Sequence, residues 1–321
     1  LAGFTGAGAL LTVVGGKLLE DSNSSVEDHT LTLSDINSRL ETFRFEVITV
    51  DSRGTEINRR PGEAKSFPLD LGNGVMLEMV AIPGGTFLMG SPENEKRSND
   101  WERPQHQVTV PPFFIAKYPT TQAQWQAVAS LPQIERSLNP DPSRFKGANR
   151  PVEKVSWYDC VEFCKRLSKR VNLEICLPSE AEWEYACRAG TTTPFYYGAT
   201  LTSALANYDG TITYDNEPKT EYRAETTNVG SFPPNAFGLY DLHGNVWEWC
   251  ADNWHENYEG APTDGSAWLI TNTDNDNHSR RLLRGGSWND NPRNCRGAVC
   301  DGDSAGYWII NNGFRAVVCG A

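Results

Sequence analysis

Polar and apolar positions first alternate at residues 43–50 (FRFEVITV), which predicts a β-strand ended by a turn at 51–54. A second apolar run, 75–82 (VMLEMVAI), predicts another strand closed by Pro83, Gly84 and Gly85. Residues 41–75 therefore read as a small β element leading into a main domain at 76–321. Three helices follow. One covers 121–130, with Trp125 and Val128 on one side. The second starts at Ser156, with Asp159 three residues on as capping partner. Its stripe is Cys160, Cys164, Leu167 and Val171. The third opens at Pro178 and Ser179 with Glu182 as partner, carries Trp183, Ala186 and Cys187, and stops at Gly190. Beyond Gly190 the periodicity fails and turns with Trp, Tyr and Gly take over. Residues 251–280 read as long surface loops.

Residues 1–19 (LAGFTGAGALLTVVGGKLL) carry no charge before Lys17. The run is close to the shortest membrane span and lacks the positive start of a signal peptide. A Gly/Ala-rich helix packed on the domain is the plainer reading, with membrane association as the alternative. Residues 20–40 are polar and read as a linker.

Composition narrows the function. A net charge of -12 over 321 residues argues against binding a phosphate backbone, so nucleic acid is not an expected partner. The eight cysteines form no C-x-x-C pair and read as mostly reduced, buried thiols; with no complete export signal, this points to the cytoplasm. The five histidines are scattered without metal-binding spacing. The turn from Asp241 to Glu248 is the best metal candidate, because two carboxylates flank a glycine where carbonyls can turn inward toward calcium. The alternative is a turn before a Trp-rich core strand, with its carboxylates satisfied by backbone amides.

From residue 80 onward the chain resembles the formylglycine-generating-enzyme/sulfatase-modifying-factor family. The stretches that carry the resemblance run in the family's order: IPGGTFLMGS (82–91), ERPQHQVTV (102–110), NRPVEKVSWYDCVEFCKRL (149–167), LPSEAEWEYACRAG (177–190), NAFGLYDLHGNVWEWC (235–250), RLLRGGSW (281–288) and NNGFRAVV (311–318). The resemblance implies an α+β, C-type-lectin-like fold with little regular secondary structure. It also implies calcium held by Asp241, the Gly244 and Val246 carbonyls and Glu248. A second calcium would use Asn207 and the Tyr208 carbonyl, with an acid near Glu221 and the Arg223 carbonyl.

The family's oxidase converts a peptide cysteine to formylglycine with copper and oxygen, using two cysteines just after a Gly-Gly-Ser-aromatic motif. Two soft thiolates suit Cu(I). Here the motif is Gly285-Gly286-Ser287-Trp288, the first cysteine position holds Asp290, and only the second, Cys295, is kept. A carboxylate is a hard ligand, so copper is not expected; Cys300 could supply sulfur only by a shifted register. The expectation is therefore no enzyme, with Cys295 the residual catalytic candidate.

The stretch GGSWNDNPRNCRGAVCDGDSAGYWIINNGFRAVV (285–318) also resembles the C-terminal layout of diversity-generating retroelement variable proteins. In those, residues between fixed anchors are exchanged at adenines of a template. That resemblance implies a ligand-binding face drawn from Trp288, Asn289, Asp290, Asn291, Asn294, Val299, Asp301, Asp303, Ser304, Tyr307, Trp308, Ile309 and Ile310. Gly302 falls among the exchangeable positions too, whereas Trp308 does not follow from an Asn codon. Rigid aromatics among small polar residues suit such a face. The ligand would be a protein or another macromolecule. The competing reading makes 307–310 (YWII) a core strand; the binding reading requires Tyr307 and Trp308 to face solvent. A third reading is an interaction module of a larger protein. Arg284 or Arg315 could pair with a buried acid such as Glu248, but the sequence does not choose the partner.

Overall fold

The computed structural model describes residues 33–270 and 280–319. The apolar run at 1–19 lies outside the described residues. Among the described residues no helix is long and apolar enough to cross a membrane. The end of the expected linker is a short helix, α1 (Leu33–Ser38), docked through Ile36, which is buried in a core cluster.

Strands β1 (Glu41–Val50), β2 (Glu56–Gly72), β3 (Val75–Ile82), β6 (Phe113–Ala116), β7 (Ile175–Cys176) and β12 (Val317–Val318) form a six-stranded sheet in the order β1-β2-β3-β6-β12-β7. β4 (Gly85–Met89) pairs with β5 (His106–Val110) in a separate antiparallel ribbon. The strands of 41–75 are built into the main sheet. β2 pairs with β3 from Ser66↔Val80 to Gly72↔Val75, so the hairpin continues the main sheet. The alternation of 43–50 fits this edge position: Phe45, Val47 and Val50 are buried while Glu46 is exposed. β6, in the sheet interior, is apolar throughout and wholly buried.

Helices α2 (Gln122–Ala129), α3 (Trp157–Val171) and α4 (Glu180–Arg188) lie where the periodicity placed them. Ser156 caps α3 reciprocally with Asp159, and Ser179 caps α4 with Glu182, so orphan N–H groups at each start are satisfied. Thr121 and Gln124 make a third such box. On α3, Cys160, Phe163, Cys164 and Leu167 are fully or nearly fully buried and Val171 is half-buried. Ala189 takes the left-handed conformation ahead of Gly190, so two residues rather than one end α4. Trp125 of α2 stacks on Phe163 of α3 at 5.6 Å, and both meet Phe314 edge-on.

The second sheet, in the order β10-β9-β8-β11, carries the C-terminal third: β8 (Trp247–Asn253), β9 (Arg280–Arg284), β10 (Cys300–Ser304) and β11 (Asn312–Gly313). The thiols are mostly free and buried, as expected, but Cys176 and Cys319 are joined in a disulfide that ties β7 to the chain end.

Candidate functional site

Three arginines pin residues 284–315 to the rest of the molecule, each fully buried against a glutamate from a distant element. Arg284 binds Glu184 of α4 at 2.6 Å and donates to the Gly297, Ala298 and Val299 carbonyls. Arg296 grips both oxygens of Glu102, at 2.7 and 2.8 Å, and also Glu95. Arg315 grips both oxygens of Glu248, at 2.6 and 2.7 Å, and donates to the Tyr240 carbonyl. The sequence's open choice of partner for Glu248 is thereby Arg315. Paired this way the buried charges are compensated; unpaired, each would cost several kcal/mol, on the order of 3–5.

Between these pins the chain first folds on itself. Gly286 sits at φ 73°, and a Cβ there would lie 2.6 Å from Cys295 Sγ. The Asp290 carboxylate accepts from Trp247 Nε1 at 2.8 Å, Asn294 Nδ2 at 2.9 Å and the Ser287 hydroxyl. Asp290 is therefore a turn-locking acid, not the free face residue expected. Trp288 is buried too. Its indole donates to the Ile310 carbonyl at 3.1 Å, and its ring stacks on Tyr222 and meets Phe145 edge-on. Val299 is buried beneath Arg284. These three leave the expected binding set, since each contributes to packing or to the turn.

Asn289, Asn291 and Asn294 occupy the rim. Asn289 is exposed, with Oδ1 accepting from Ser287 and Asn311. Asn291 caps the short helical turn Pro292–Cys295 through the Arg293 amide, and Asn294 donates to Asp290.

From β10 onward the picture changes. Asp301 and Ser304 are exposed, Asp303, Ile309 and Ile310 half-buried, and residues 305–311 form an irregular loop. Tyr307 is 48% and Trp308 54% exposed. The core-strand reading of 307–310 is thus overturned, and the exposure the binding reading requires is present. Gly302 is the exception here: a Cβ would lie 2.3 Å from the Trp254 ring, so this position does not exchange freely.

Cys295 lies in the interior. The side chain is fully buried, and burial together with the neighbouring Asp290 charge pushes its thiol well above the usual value. Burial likewise pushes up Cys300, whose sulfur lies 3.9 Å from the Tyr258 hydroxyl. Burial thus disfavours the thiolate form of both side chains. His243, next to the expected calcium turn, is locked between the Cys295 carbonyl at 2.7 Å and the Tyr196 amide at 3.0 Å; burial lowers it to about 3, so it stays neutral.

Several of the residues expected to hold calcium also have protein partners. Glu248 is spent on Arg315 and on Trp183 Nε1. Glu221 is exposed and pairs with Arg223. The Gly244 carbonyl accepts from the Val246 amide, and the Asn207 carbonyl from the Asn245 amide. Tyr208 is buried, with its hydroxyl on the Leu201 carbonyl. Asp241 keeps one buried oxygen without a partner, as does Asn207, and burial raises the Asp241 carboxyl to about 7. These two orphaned oxygens, one from each expected site, are of the kind that calcium takes. Among the described residues no three His, Cys, Asp or Glu side chains cluster to hold a metal.

The family itself is decided by sequence likeness on a larger scale. The model of sulfatase-modifying factor enzyme 1-like domains matches residues 72–319. The chain belongs to this family. Its relatives include the formylglycine-generating enzyme of Mus musculus, 31% identical over 56% of this chain and 59% of that protein. The inactive C-alpha-formylglycine-generating enzyme 2 of Bos taurus is 30% identical over 67% of this chain and 84% of its own length. The chain thus spans about three fifths of the mouse enzyme it matches. Among solved structures, Treponema denticola variable protein 1 superposes with a TM-score of 0.61 and 25% identity, over 79% of this chain and 98% of that one. The fold is the C-type-lectin-like α+β fold that the motifs implied. The match begins at residue 72, so β1 and most of β2 are an addition to the family domain.

The sequence missed Lys154, which lies under the 305–311 loop with its amide donating to the Ile309 carbonyl. It also missed Tyr222 beneath Trp288 and the Glu95/Glu102 pair around Arg296. All three join residues far apart in the chain, and no local pattern reports such contacts.

Proposed function

We propose that this chain is a non-enzymatic binding protein that presents the 301–310 segment, led by Tyr307 and Trp308, to a protein or other macromolecular ligand. The reading includes diversification of that segment by a retroelement. The observation that carries it is the outward placement of two large aromatics on an irregular loop entered from β10, which pairs with β9, and followed by the buried Arg315–Glu248 pair. Aromatic anchors on a rigid frame gain contact area at little entropy cost. The likeness to a variable protein supports the reading, as does a relative named inactive. The Cys176–Cys319 bond favours an oxidising compartment over the cytoplasm expected from dispersed thiols.

The test is to sequence the source DNA. A near-copy of the segment encoding 285–318, differing only at adenines and lying beside a reverse transcriptase gene, is the expected result. Its absence removes the diversification reading. The second reading, a copper oxidase acting on a peptide cysteine, is favoured by the relatives named as formylglycine-generating enzymes. Incubation with a sulfatase-type cysteine peptide, copper and oxygen tests it. Aldehyde formation that Cys295→Ala abolishes would establish the oxidase and end the non-enzymatic reading.

A further inference from the structure

A cavity of about 360 Å³ opens beside the exposed loop, lined by Trp125, Ser137, Asn139, Lys154, Asp159 and Trp308. Trp125 forms a wall that offers no donor, because its indole N–H is held by the Asn139 carbonyl at 2.8 Å. Asp159 is committed elsewhere: one oxygen caps α3 through Ser156, and the other pairs with Arg136 at 3.3 Å. Lys154 is the one cation of the lining. Its ammonium lies 5.2 Å from the centre of the Trp308 ring, and among the described residues no carboxylate lies within ion-pair distance of it. The preceding Glu153 is buried and turned to the amides of Arg144 and Phe145.

Two further features make the arrangement a fixed one. Lys154 holds the left-handed backbone at φ 62°, an uncommon state for a residue with a side chain. Its amide is tied to Ile309 at 3.0 Å, which sets the lysine against the loop that carries Trp308. Lys154 is a half-buried residue, and an ammonium with no counter-ion among the described residues attracts an anion. On a chain of net charge -12, anions are repelled in general, so a local cation is needed to take one.

We infer that this cavity takes a carboxylate of the bound partner, an Asp or Glu side chain on a protein surface, with Lys154 as counter-ion and the Trp308 ring as the wall for the methylene stem. The inference rests on the binding reading above and names the chemistry that its face selects.

The test follows the Trp308 indole N–H by heteronuclear NMR, assigned with Trp308→Phe. The probes are the blocked tripeptide acetyl-Gly-Glu-Gly-amide and its Gln counterpart. The expected result is a saturable shift with the Glu peptide at concentrations about ten-fold lower than with the Gln peptide, as a charge-assisted contact gives. Lys154→Met removes the preference and Lys154→Arg keeps it, with melting curves confirming that both variants fold. Equal response to the two peptides, no response to either, or a preference that survives Lys154→Met overturns the inference. If that happens while Tyr307→Ser still loses a partner bound by the parent protein, the pocket alone is refuted. If Tyr307→Ser and Trp308→Ser also bind that partner unchanged, the face is refuted with it.

Discussion

The two halves of the 285–310 segment differ in a way their composition does not announce. Both combine glycines with Asp or Asn, and both hold a tryptophan. Residues 285–300 turn their polar side chains inward: Asp290 collects three donors, Trp288 is buried, and Arg296 is locked between two glutamates. Residues 301–310 turn Tyr307 and Trp308 outward instead. Polar residues therefore build frame in one half and surface in the other. What separates the halves is whether a buried partner from another element reaches them.

The largest effect should come from the clamp under both halves. Arg315→Met leaves Glu248 buried with only the Trp183 indole, and we expect a loss of about 3–5 kcal/mol in urea unfolding. A loss under about 1 kcal/mol would mean that the pair is not fully desolvated. Trp288→Ala opens a cavity between Tyr222 and Phe145 and should cost about 3 kcal/mol. If it costs no more than a surface change, the first half is not frame.

Gly302 marks where the division itself breaks. It lies in the outward half, yet its backbone packs on Trp254. Gly302→Ala should destabilise by about 1–3 kcal/mol, read from the melting temperature. A neutral result would return this position to the exchangeable set.

A pH series sharpens the contrast. Burial holds Glu180 at about 7 and Asp252 at about 6, above their ordinary values of 4.5 and 3.8. Groups raised in this way bind protons in the folded state that the unfolded chain releases. Their contribution is complete below pH of about 4 and is lost as pH rises toward 7. Glu180→Gln should flatten the decline in urea midpoint between pH 4.5 and about 7. An unchanged slope would show that other groups govern it. The smallest expected effect is that of Trp308→Ala on folding, within about 0.5 kcal/mol of the parent protein, because the side chain is mostly in solvent.

Much of the frame was legible locally. The capping pairs Ser156–Asp159 and Ser179–Glu182 and the Cys160–Leu167 stripe predict their helices, because such signals act within a turn or two of the chain. The family motifs implied the fold, and the exposure of Tyr307 and Trp308 was a stated requirement of one reading. The candidate site was only half legible. Trp288 and Val299 look like surface anchors in the sequence, and hydrophobicity alone does not tell an anchor from a core residue. Glu248 looks like a calcium ligand, because a carboxylate beside a glycine turn is equally suited to a cation or a guanidinium.

By itself the sequence determined the helices, the family and the C-type-lectin-like fold. Those follow from spacing and residue identity, which are local or linear. Only the tertiary structure decided that the 41–72 hairpin extends the main sheet, that Arg315 claims Glu248, and that Cys176 meets Cys319. It alone decided that Lys154 stands beside Trp308 with no carboxylate in ion-pair distance among the described residues. Each of these depends on which distant residue fills the space opposite, and burial sets that choice only once the whole chain has packed.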